Sequence, residues 1–301
     1  MAAMSCRRRW WSAPWCAFLP DACLDVPPAW DAAAQYIRHH GLRRILVVGE
    51  KDTGKSTFCR YLVETVARSG CGTALLDTDV GQKLVGPPAC VTMQDPHGLS
   101  LAFVGSTNPV QGWSRLIEGA RRLAQQTNAD CLIVNTSGLL AGPGRRLKAA
   151  KIDALRPDLL IAVGTGQSLE EIAQDVPAPP ILRVPSSPEA RHKTAGERRT
   201  GRHEAFRQYF SNSGLLKLKS GMLAPSDGEA PLPAGLLLGL SGKAGQDLGL
   251  GLLLNRAEGE VLEVLSPVAE VDVVQVHPGL LILDEDFAEE HLPAGRRRIS
   301  C

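Results

Sequence analysis

From residue 26 onward, short apolar runs alternate with stretches whose apolar residues recur at helical spacing, and glycine, proline or hydroxyl residues separate them. Trp30, Ala33, Ala34 and Ile37 mark the apolar face of a helix reaching His39. Ile45 to Val48 reads as a buried strand, and Phe58 to Ala67 as a helix that stops at Ser69-Gly70-Cys71-Gly72. Thr73 to Leu76 is a short strand, Pro87-Pro88 breaks the chain, and Leu99 to Val104 is a further strand. A helix over Trp113 to Gln125, a strand over Cys131 to Val134, a basic helix near Arg145 to Arg156 and a strand over Leu159 to Val163 follow. A helix over Leu169 to Gln174 and a strand over Ile181 to Val184 complete the series. Strands that alternate with helices in this way predict an α/β fold with a mostly parallel sheet and helices on both faces.

The pattern changes over 189–210. Arg191, Lys193, Arg198, Arg199, Arg202 and Arg207 there face only Glu189, Glu197 and Glu204, and the stretch ends in Phe206 and Tyr209-Phe210. It reads as a basic helix docked at one end. Arg191, Arg198 and Arg202, spaced by seven and four residues, are expected on one helix face. Beyond Leu215 the helical signal stops. Leu236-Leu237-Leu238, Leu248 to Leu254, Val261 to Leu265, Val271 to Val276 and Leu280 to Leu283 are short apolar runs between Gly, Pro and Ser, which predicts a small β-rich C-terminal domain. The expected organisation is a disordered extension at 1–25, a main α/β domain at 26–212 carrying an Arg-rich segment at 189–207, a β-rich domain at 213–285 and a solvated tail at 286–301.

Composition adds bounds. The chain has 301 residues, with 44% hydrophobic and 22% charged residues, as in ordinary globular proteins. A net charge of +1 does not advertise nucleic-acid binding for the molecule as a whole, so any such signal is local. The eight cysteines include no C-x-x-C pair and no zinc spacing, which fits a reducing, cytoplasmic setting. No apolar run is long enough to span a membrane. Arg7 to Arg9 followed by Trp10 and Trp11 imitate the start of a signal peptide. Pro14, Pro20, Asp21 and Asp25 break the pattern, and the stretch reads as a ragged extension or the product of an upstream start codon.

The candidate chemistry centres on Gly49-Glu-Lys-Asp-Thr-Gly-Lys-Ser-Thr57 between a strand and a helix, the G-x-x-x-x-G-K-S of a P-loop in its proper context. Glycines let backbone N–H groups turn inward around phosphate oxygens, and the helix N-terminus adds unpaired N–H groups. Gly49, Asp52, Thr53, Gly54, Lys55, Ser56 and Thr57 are the candidate nucleotide cradle, with Lys55 directed at the β/γ-phosphates and Ser56 at Mg²⁺. Asp77 and Asp79 follow the next strand, where a carboxylate can hold Mg²⁺ or take a proton from an attacking hydroxyl. A regulatory GTPase needs D-x-x-G and N-K-x-D. Asp79 to Gly81 is one residue too short, and Ala150-Lys151-Ile152-Asp153 lacks the Asn, so that class is disfavoured. The arginines of 191–207 suit charge developing on a phosphoryl group, a phosphodiester backbone, or simply an exposed basic face.

In chain order, the P-loop, Asp77-Thr-Asp-Val-Gly-Gln82, Gly105-Ser-Thr-Asn-Pro109, Val134-Asn-Thr-Ser-Gly138 with Gly142 and Gly144, and Arg198 to Arg202 before Tyr209-Phe210 closely resemble the P-loop polynucleotide 5′-hydroxyl kinases. Eukaryotic members of that family serve pre-mRNA cleavage and ribosomal-RNA processing. The resemblance covers about residues 26–285, and the run Gly235 to Leu254 is similar to the family's C-terminal domain. It implies transfer of the ATP γ-phosphate, with Mg²⁺, to the 5′-OH of RNA or DNA. It assigns Lys55 and Ser56 to the phosphates and metal, Asp79 to Mg²⁺ and the attacking 5′-OH with Asp77 as its neighbour, and Thr107 to the clasp that orients the acceptor. Arg198 and Arg202 match the R-x-x-x-R of the family's lid. Catalytic roles thus fall on Lys55, Asp77, Asp79, Thr107, Arg198 and Arg202, metal binding on Ser56 and Asp79, and acceptor binding on Gln82, Ser106, Thr107 and Leu139.

Two departures stand out. Leu139 occupies the place of a family Trp that stacks on terminal bases, so the π-face is lost, and stacking is worth about 1–3 kcal/mol per base. The family's usual N-terminal β-domain has no counterpart in the chain, which suggests a minimal, stand-alone enzyme; protein partners are not indicated. Alternative readings are a nucleotide-dependent RNA- or protein-binding switch and a kinase of a small hydroxyl compound. A requirement of ATP consumption for a 5′-OH end separates them.

Overall fold

The computed structural model describes residues 26–164, 179–224, 232–257 and 261–290. The extension at 1–25 and the helix expected over 169–174 lie outside these residues. Helix α1 (Pro28–His39) precedes strand β1 (Arg44–Val48), helix α2 (Lys55–Ala67) and strand β2 (Thr73–Asp77). An antiparallel pair, β3 (Cys90–Asp95) and β4 (Gly98–Phe103), leads to α3 (Trp113–Gln126), β5 (Cys131–Asn135), α4 (Pro143–Leu155), β6 (Leu159–Val163) and β7 (Ile181–Val184). Helix α5 (Ala195–Phe210) is followed by β8 (Gly214–Lys219), β9 (Leu236–Ser241), β10 (Asp247–Ala257), β11 (Val261–Ser266), β12 (Gln275–Leu283) and β13 (Glu289–Glu290).

The parallel core runs β2-β5-β1-β6-β7. Its strands are short apolar runs because both faces are covered. Alternation along β1 sends Ile45 and Val47 to one side, where they meet Trp30 and Ile37 of α1 and Phe58, Leu62 and Val66 of α2. Leu46 and Val48 point to the other side, against Leu116, Ala120 and Leu123 of α3 and Leu147, Ile152 and Leu155 of α4. The Trp30 indole fits edge-on against Phe58, with ring centroids 4.9 Å apart, and donates to the Pro185 carbonyl at 2.9 Å, so α1 clamps α2 to the chain entering the basic segment.

The helices on both faces and the parallel core follow the hydrophobic pattern, while several details differ from it. Strand β3 follows Pro87-Pro88 and pairs antiparallel with β2, which extends the sheet past its parallel part. The C-terminal β-rich region continues the same sheet, because β10 pairs with β4 at Asp247 and Leu101. Asp247 accepts from the Phe103 N–H at 3.1 Å, from Arg122 of α3 and from the Ser241 hydroxyl at 3.0 Å, which fastens the C-terminal sheet to the nucleotide-type core. The runs Val271 to Val276 and Leu280 to Leu283 do not form two strands: Glu270–Asp272 is a 3-10 turn and a single strand spans Gln275–Leu283.

The segment read as a solvated tail starts in ordered structure. Asp284 caps a turn by accepting from Asp286 and Ala288 N–H groups, Phe287 stacks on Phe210 with centroids 5.3 Å apart, and Glu289–Glu290 pairs with β12. The basic helix is shorter than the charge pattern suggested. It starts at Ala195, because Thr194 and Glu197 form a reciprocal capping box, so Arg191 precedes the helix and pairs with Glu197 instead of sharing a face with Arg198 and Arg202. Among the described residues no helix is long and apolar enough to cross a membrane.

The irregular stretch of β12 that begins at Pro278-Gly279 seats directly on the loop after β4. The Leu280 N–H donates to the Gly105 carbonyl at 2.7 Å, and a Cβ on Gly279 would stand 2.6 Å from the Leu237 carbonyl oxygen. Gly279→Ala is therefore expected to overpack backbone against backbone and to cost about 1–3 kcal/mol. A urea unfolding curve with a lowered midpoint and unchanged slope checks this.

Candidate functional site

The loops at the C-terminal ends of β1, β2, β4 and β5 converge, the place where ligands of open α/β sheets bind. After Val48 the chain turns at Gly49, where a Cβ would stand 2.5 Å from the Val163 carbonyl oxygen. Gly54 has φ +82° and forms the N-cap of α2 with no side-chain cap, so the first-turn N–H groups of α2 face the loop without a side-chain partner. Asp52 is also left-handed, with φ 63°. Lys55 folds over the loop, its Nζ donating to the Glu50 carbonyl and lying 3.4 Å from Thr53 Oγ1. Burial pushes the Lys55 pKa down, and the Asp79 carboxylate is the largest opposing influence. The half-buried Ser56 hydroxyl and the Asp79 Oδ2 atom have no hydrogen-bond partner among the described residues. An uncapped helix N-terminus, a lysine and two open oxygen ligands fit a phosphate chain carrying a Mg²⁺ ion, which binds through one or two carboxylates plus phosphates.

Asp77 and Asp79 have different surroundings. Asp77 is fully buried. Its carboxylate accepts from Asn135 Nδ2 at 3.0 Å and from the N–H groups of Asp79 at 3.1 Å and Leu84 at 2.5 Å, and it pairs with Lys83 at 3.2 Å. Asp77 therefore shapes the loop and does not face the cradle. Asp79 is half-exposed, and its Oδ1 accepts from Gly81 and Gln82 N–H groups, each at 3.0 Å. A Cβ on Gly81 would stand 3.1 Å from the Thr107 carbonyl oxygen, so the Asp79 turn and the turn after β4 touch. Ser106 is buried and spends its hydroxyl on Gln111 at 3.1 Å and on the Asn108 N–H at 3.0 Å, which leaves half-buried Thr107 as the presented residue.

The loop after β5 packs against the P-loop at Gly138, where a Cβ would meet the Lys51 N at 2.5 Å. Leu139, next in the chain, is half-buried beside Gly144. Two lysines of α4 reach the same region from below. Lys148 Nζ donates to the Ser137 carbonyl at 2.6 Å, and Lys151 Nζ to the Thr78 carbonyl at 3.1 Å and hydroxyl at 2.9 Å. Both are fully buried. Burial pushes the Lys148 pKa well below its ordinary value, and it pushes Lys151 down to about 8 against the attraction of Asp79 and Asp77.

Helix α5 closes the side of the site. Arg198 pairs with Asp52 of the P-loop, and Gln82 Nε2 donates to the Arg198 carbonyl at 3.1 Å. Burial acts to raise the Asp52 pKa, but hydrogen bonds from Arg198 and the Lys193 N–H outweigh it and hold the carboxyl below its ordinary range. Arg202 turns the other way, into a two-pronged pair with Glu289 of β13 at 2.7 and 2.6 Å.

The fold thus brings together the P-loop residues, Asp79, Gln82, Thr107 and Arg198. It sets Asp77, Ser106 and Arg202 on supporting partners. Sequence reasoning missed Lys83, Lys148, Lys151 and Glu289. Of these, the lysine pair three residues apart inside the apolar face Leu147-Ile152-Leu155 carried a readable signal. A cavity of about 490 Å³ lined by Ile37, Arg38, Val66, Cys71 and Asp130 opens at the opposite end of the strands and has no part in this arrangement.

Comparison with known proteins agrees with this geometry. Residues 49–212 match the family described as mRNA cleavage and polyadenylation factor CLP1 P-loop. A polyribonucleotide 5′-hydroxyl-kinase of Pyrococcus furiosus is 35% identical over 185 residues, covering 58% of this chain and 52% of that protein. One of Methanocaldococcus jannaschii is 32% identical over 190 residues, with 58% and 52% covered. Clp1 of Xenopus tropicalis, which bears the same kinase name, is 27% identical over 190 residues, with 56% and 44% covered. The chain spans about half the length of the curated relatives it matches. The solved structure of Clp1p in complex with Pcf11p superimposes with a TM-score of 0.65 at 14% identity, covering 85% of this chain and 79% of that one, which is a likeness of fold. With the family match spanning more than half its length and the fold in agreement, the chain belongs to the CLP1 P-loop family.

Proposed function

We propose that this protein is an ATP-dependent polynucleotide kinase that transfers the γ-phosphate of ATP to the 5′-hydroxyl of an RNA end, with DNA ends as a second acceptor. The observation that carries the reading is the position of Asp79. Its charge acts on Lys55 of the phosphate cradle, and the turn that its Oδ1 holds touches the Thr107 turn at Gly81. The names of the archaeal and vertebrate relatives support the choice of acceptor.

In this reading the 5′-oxygen attacks the γ-phosphorus in line, its proton passes to the Asp79 carboxylate, and the bond to the β-phosphate oxygen breaks to release ADP. Ser56 and Asp79 are the residues that would hold Mg²⁺, which when bound offsets charge on the phosphate oxygens. Lys55 and the uncapped first turn of α2 bind the β- and γ-phosphates. Arg198 stands at the edge of the cradle to meet charge on the transferring group. Thr107 and Gln82 orient the acceptor end, and Leu139 gives it an apolar rest without a stacking face. The free thiols of Cys59, Cys71, Cys90 and Cys131 support a cytoplasmic setting.

The test is transfer of label from γ-³²P-ATP to matched 5′-OH and 5′-phosphate oligonucleotides of RNA and DNA. Label is expected on 5′-OH strands alone, and Lys55→Ala is expected to lower the rate about 100-fold or more. Equal labelling by the Lys55→Ala variant, or no labelling of any strand by an ATP-binding wild type, would sink the proposal.

The two aspartates should separate by stability. Asp77→Asn leaves the Lys83 ammonium buried without its counter-charge, a loss of about 3–5 kcal/mol for a broken buried pair. Asp79→Asn keeps an oxygen for the Gly81 and Gln82 N–H groups and breaks no direct ion pair among the described residues, so it should lower the urea midpoint less than Asp77→Asn does while transfer drops about 100-fold or more.

A further inference from the structure

Lys148 and Lys151 are unexplained by packing. They lie in α4 between Leu147, Ile152 and Leu155, which bury against the sheet, and both are wholly shut off from solvent. An ammonium in such a place costs several kcal/mol of desolvation, and an apolar side chain of the same length would fill the space without that cost. Among the described residues neither lysine is bonded to a carboxylate. Each instead holds loop oxygens just past the end of a strand, where the β-ladder has stopped.

Strand β2 ends at Asp77, and Lys151 takes up the carbonyl and hydroxyl of Thr78, the residue before Asp79. The Thr78 hydroxyl in turn donates to the Asn135 carbonyl at 2.7 Å, so the lysine closes a bridge between the ends of β2 and β5. Strand β5 ends at Asn135. Lys148 takes up the Ser137 carbonyl at 2.6 Å and lies 3.3 Å from its hydroxyl, and Ser137 precedes Gly138 on the P-loop and Leu139 at the acceptor side. Lys151 thus holds the residue next to Asp79, and Lys148 the loop that packs on the P-loop at Gly138.

The geometry points to Lys148 and Lys151 as two positioning residues with separate duties: Lys151 sets the Thr78-Asp79 turn for the metal and the attacking hydroxyl, and Lys148 sets the Ser137-Leu139 loop for the acceptor. The inference rests on the phosphotransferase reading above. A merely structural role predicts that both lysines act alike, through stability alone. Separate duties predict that they divide the kinetic constants between them.

The experiment compares the wild type with Lys151→Met, Lys148→Met and Thr78→Val. Steady-state transfer to a 5′-OH RNA oligonucleotide gives one readout. The second, independent of transfer, is the melting-temperature rise given by ATP in EDTA and the further rise when Mg²⁺ is added. Lys151→Met is expected to lower kcat tenfold or more with the RNA KM within threefold, to keep the rise with ATP in EDTA, and to lose at least half of the Mg²⁺ increment. Thr78→Val, which removes one of the two oxygens held by Lys151, is expected to change the same quantities in the same direction by less. It decides the question if Lys151→Met does not fold. Lys148→Met is expected to raise the RNA KM fivefold or more while kcat and the Mg²⁺ increment stay near wild type.

Equal effects of the two lysine variants on kcat and KM, or unchanged constants with only a lowered melting temperature, would overturn the inference. If the wild type labels no 5′-OH end, the acceptor reading fails. The Mg²⁺ increment then decides for Lys151 alone: its loss in Lys151→Met and Thr78→Val supports the inference, and its retention overturns it.

Discussion

A carboxylate with no access to water must find every partner inside the protein, and Asp77 does so at the centre of this molecule. Asn135, Lys83 and the N–H groups of Asp79 and Leu84 converge on its two oxygens. The consequences spread from there. The bond to Asn135 locks the end of β2 to that of β5. Lys83, which also donates to the carbonyls of Asp77 and Cys90, pulls the following loop back over the strand ends. The loop therefore cannot swing freely, and Asp79 is left at its crest with one oxygen anchored by Gly81 and Gln82 and the other open. A buried ion pair of this kind is a poor source of net stability but a strong determinant of geometry, because any other arrangement strands a charge.

The Thr107 side of the site depends on a second constraint, contact between backbones. The turn that presents Thr107 is held at Gly105 by the Gly279-Leu280 stretch of β12, so the C-terminal sheet is a structural wall of the site. That sheet in turn is pinned by Asp247, which gathers a backbone N–H of β4, an arginine of α3 and a hydroxyl of β9. Remote residues thus fix the distance between the P-loop and the Thr107 turn, the distance on which the proposed transfer would depend.

The cradle was legible in the sequence because a P-loop is specified locally: glycines at fixed spacing, a strand before and a helix after. The parallel core was legible for a similar reason, since buried strands and amphipathic helices write distinct periods. What could not be read depends on contacts remote in the chain. Strand β3 shows Cys-Val-Thr-Met, buried on both faces and preceded by two prolines, so it lacks the alternation that marks a strand. Asp77 and Asp79 look equivalent, two residues apart at a strand end, and differ only because the strand stops at Asp77 and the chain turns at Thr78. Arg191 falls out of the basic face because the capping box at Thr194 sets where the helix begins. Lys148 and Lys151 read as part of a basic helix although their spacing sets them among Leu147, Ile152 and Leu155, and the fold buries them while Arg145 and Arg146 do not share that burial.

The basic helix α5 brings the two kinds of constraint together. Its apolar end, Phe206 and Phe210, is buried against the C-terminal sheet and Phe287, so that end is fixed by packing. Its other end is fixed by charge, through Arg198 on Asp52, Gln82 on the Arg198 carbonyl and Arg202 on Glu289. Contacts of these two kinds respond differently to an anion. An ion pair such as Arg198–Asp52 weakens where salt or another anion competes for the guanidinium, whereas the packing of Phe206 does not. Asp52 belongs to the P-loop itself, so the charged end of α5 is tied directly to the loop that leads into α2. One end of α5 is thus set by the C-terminal sheet and the other by the P-loop, which makes the helix a strut between the two.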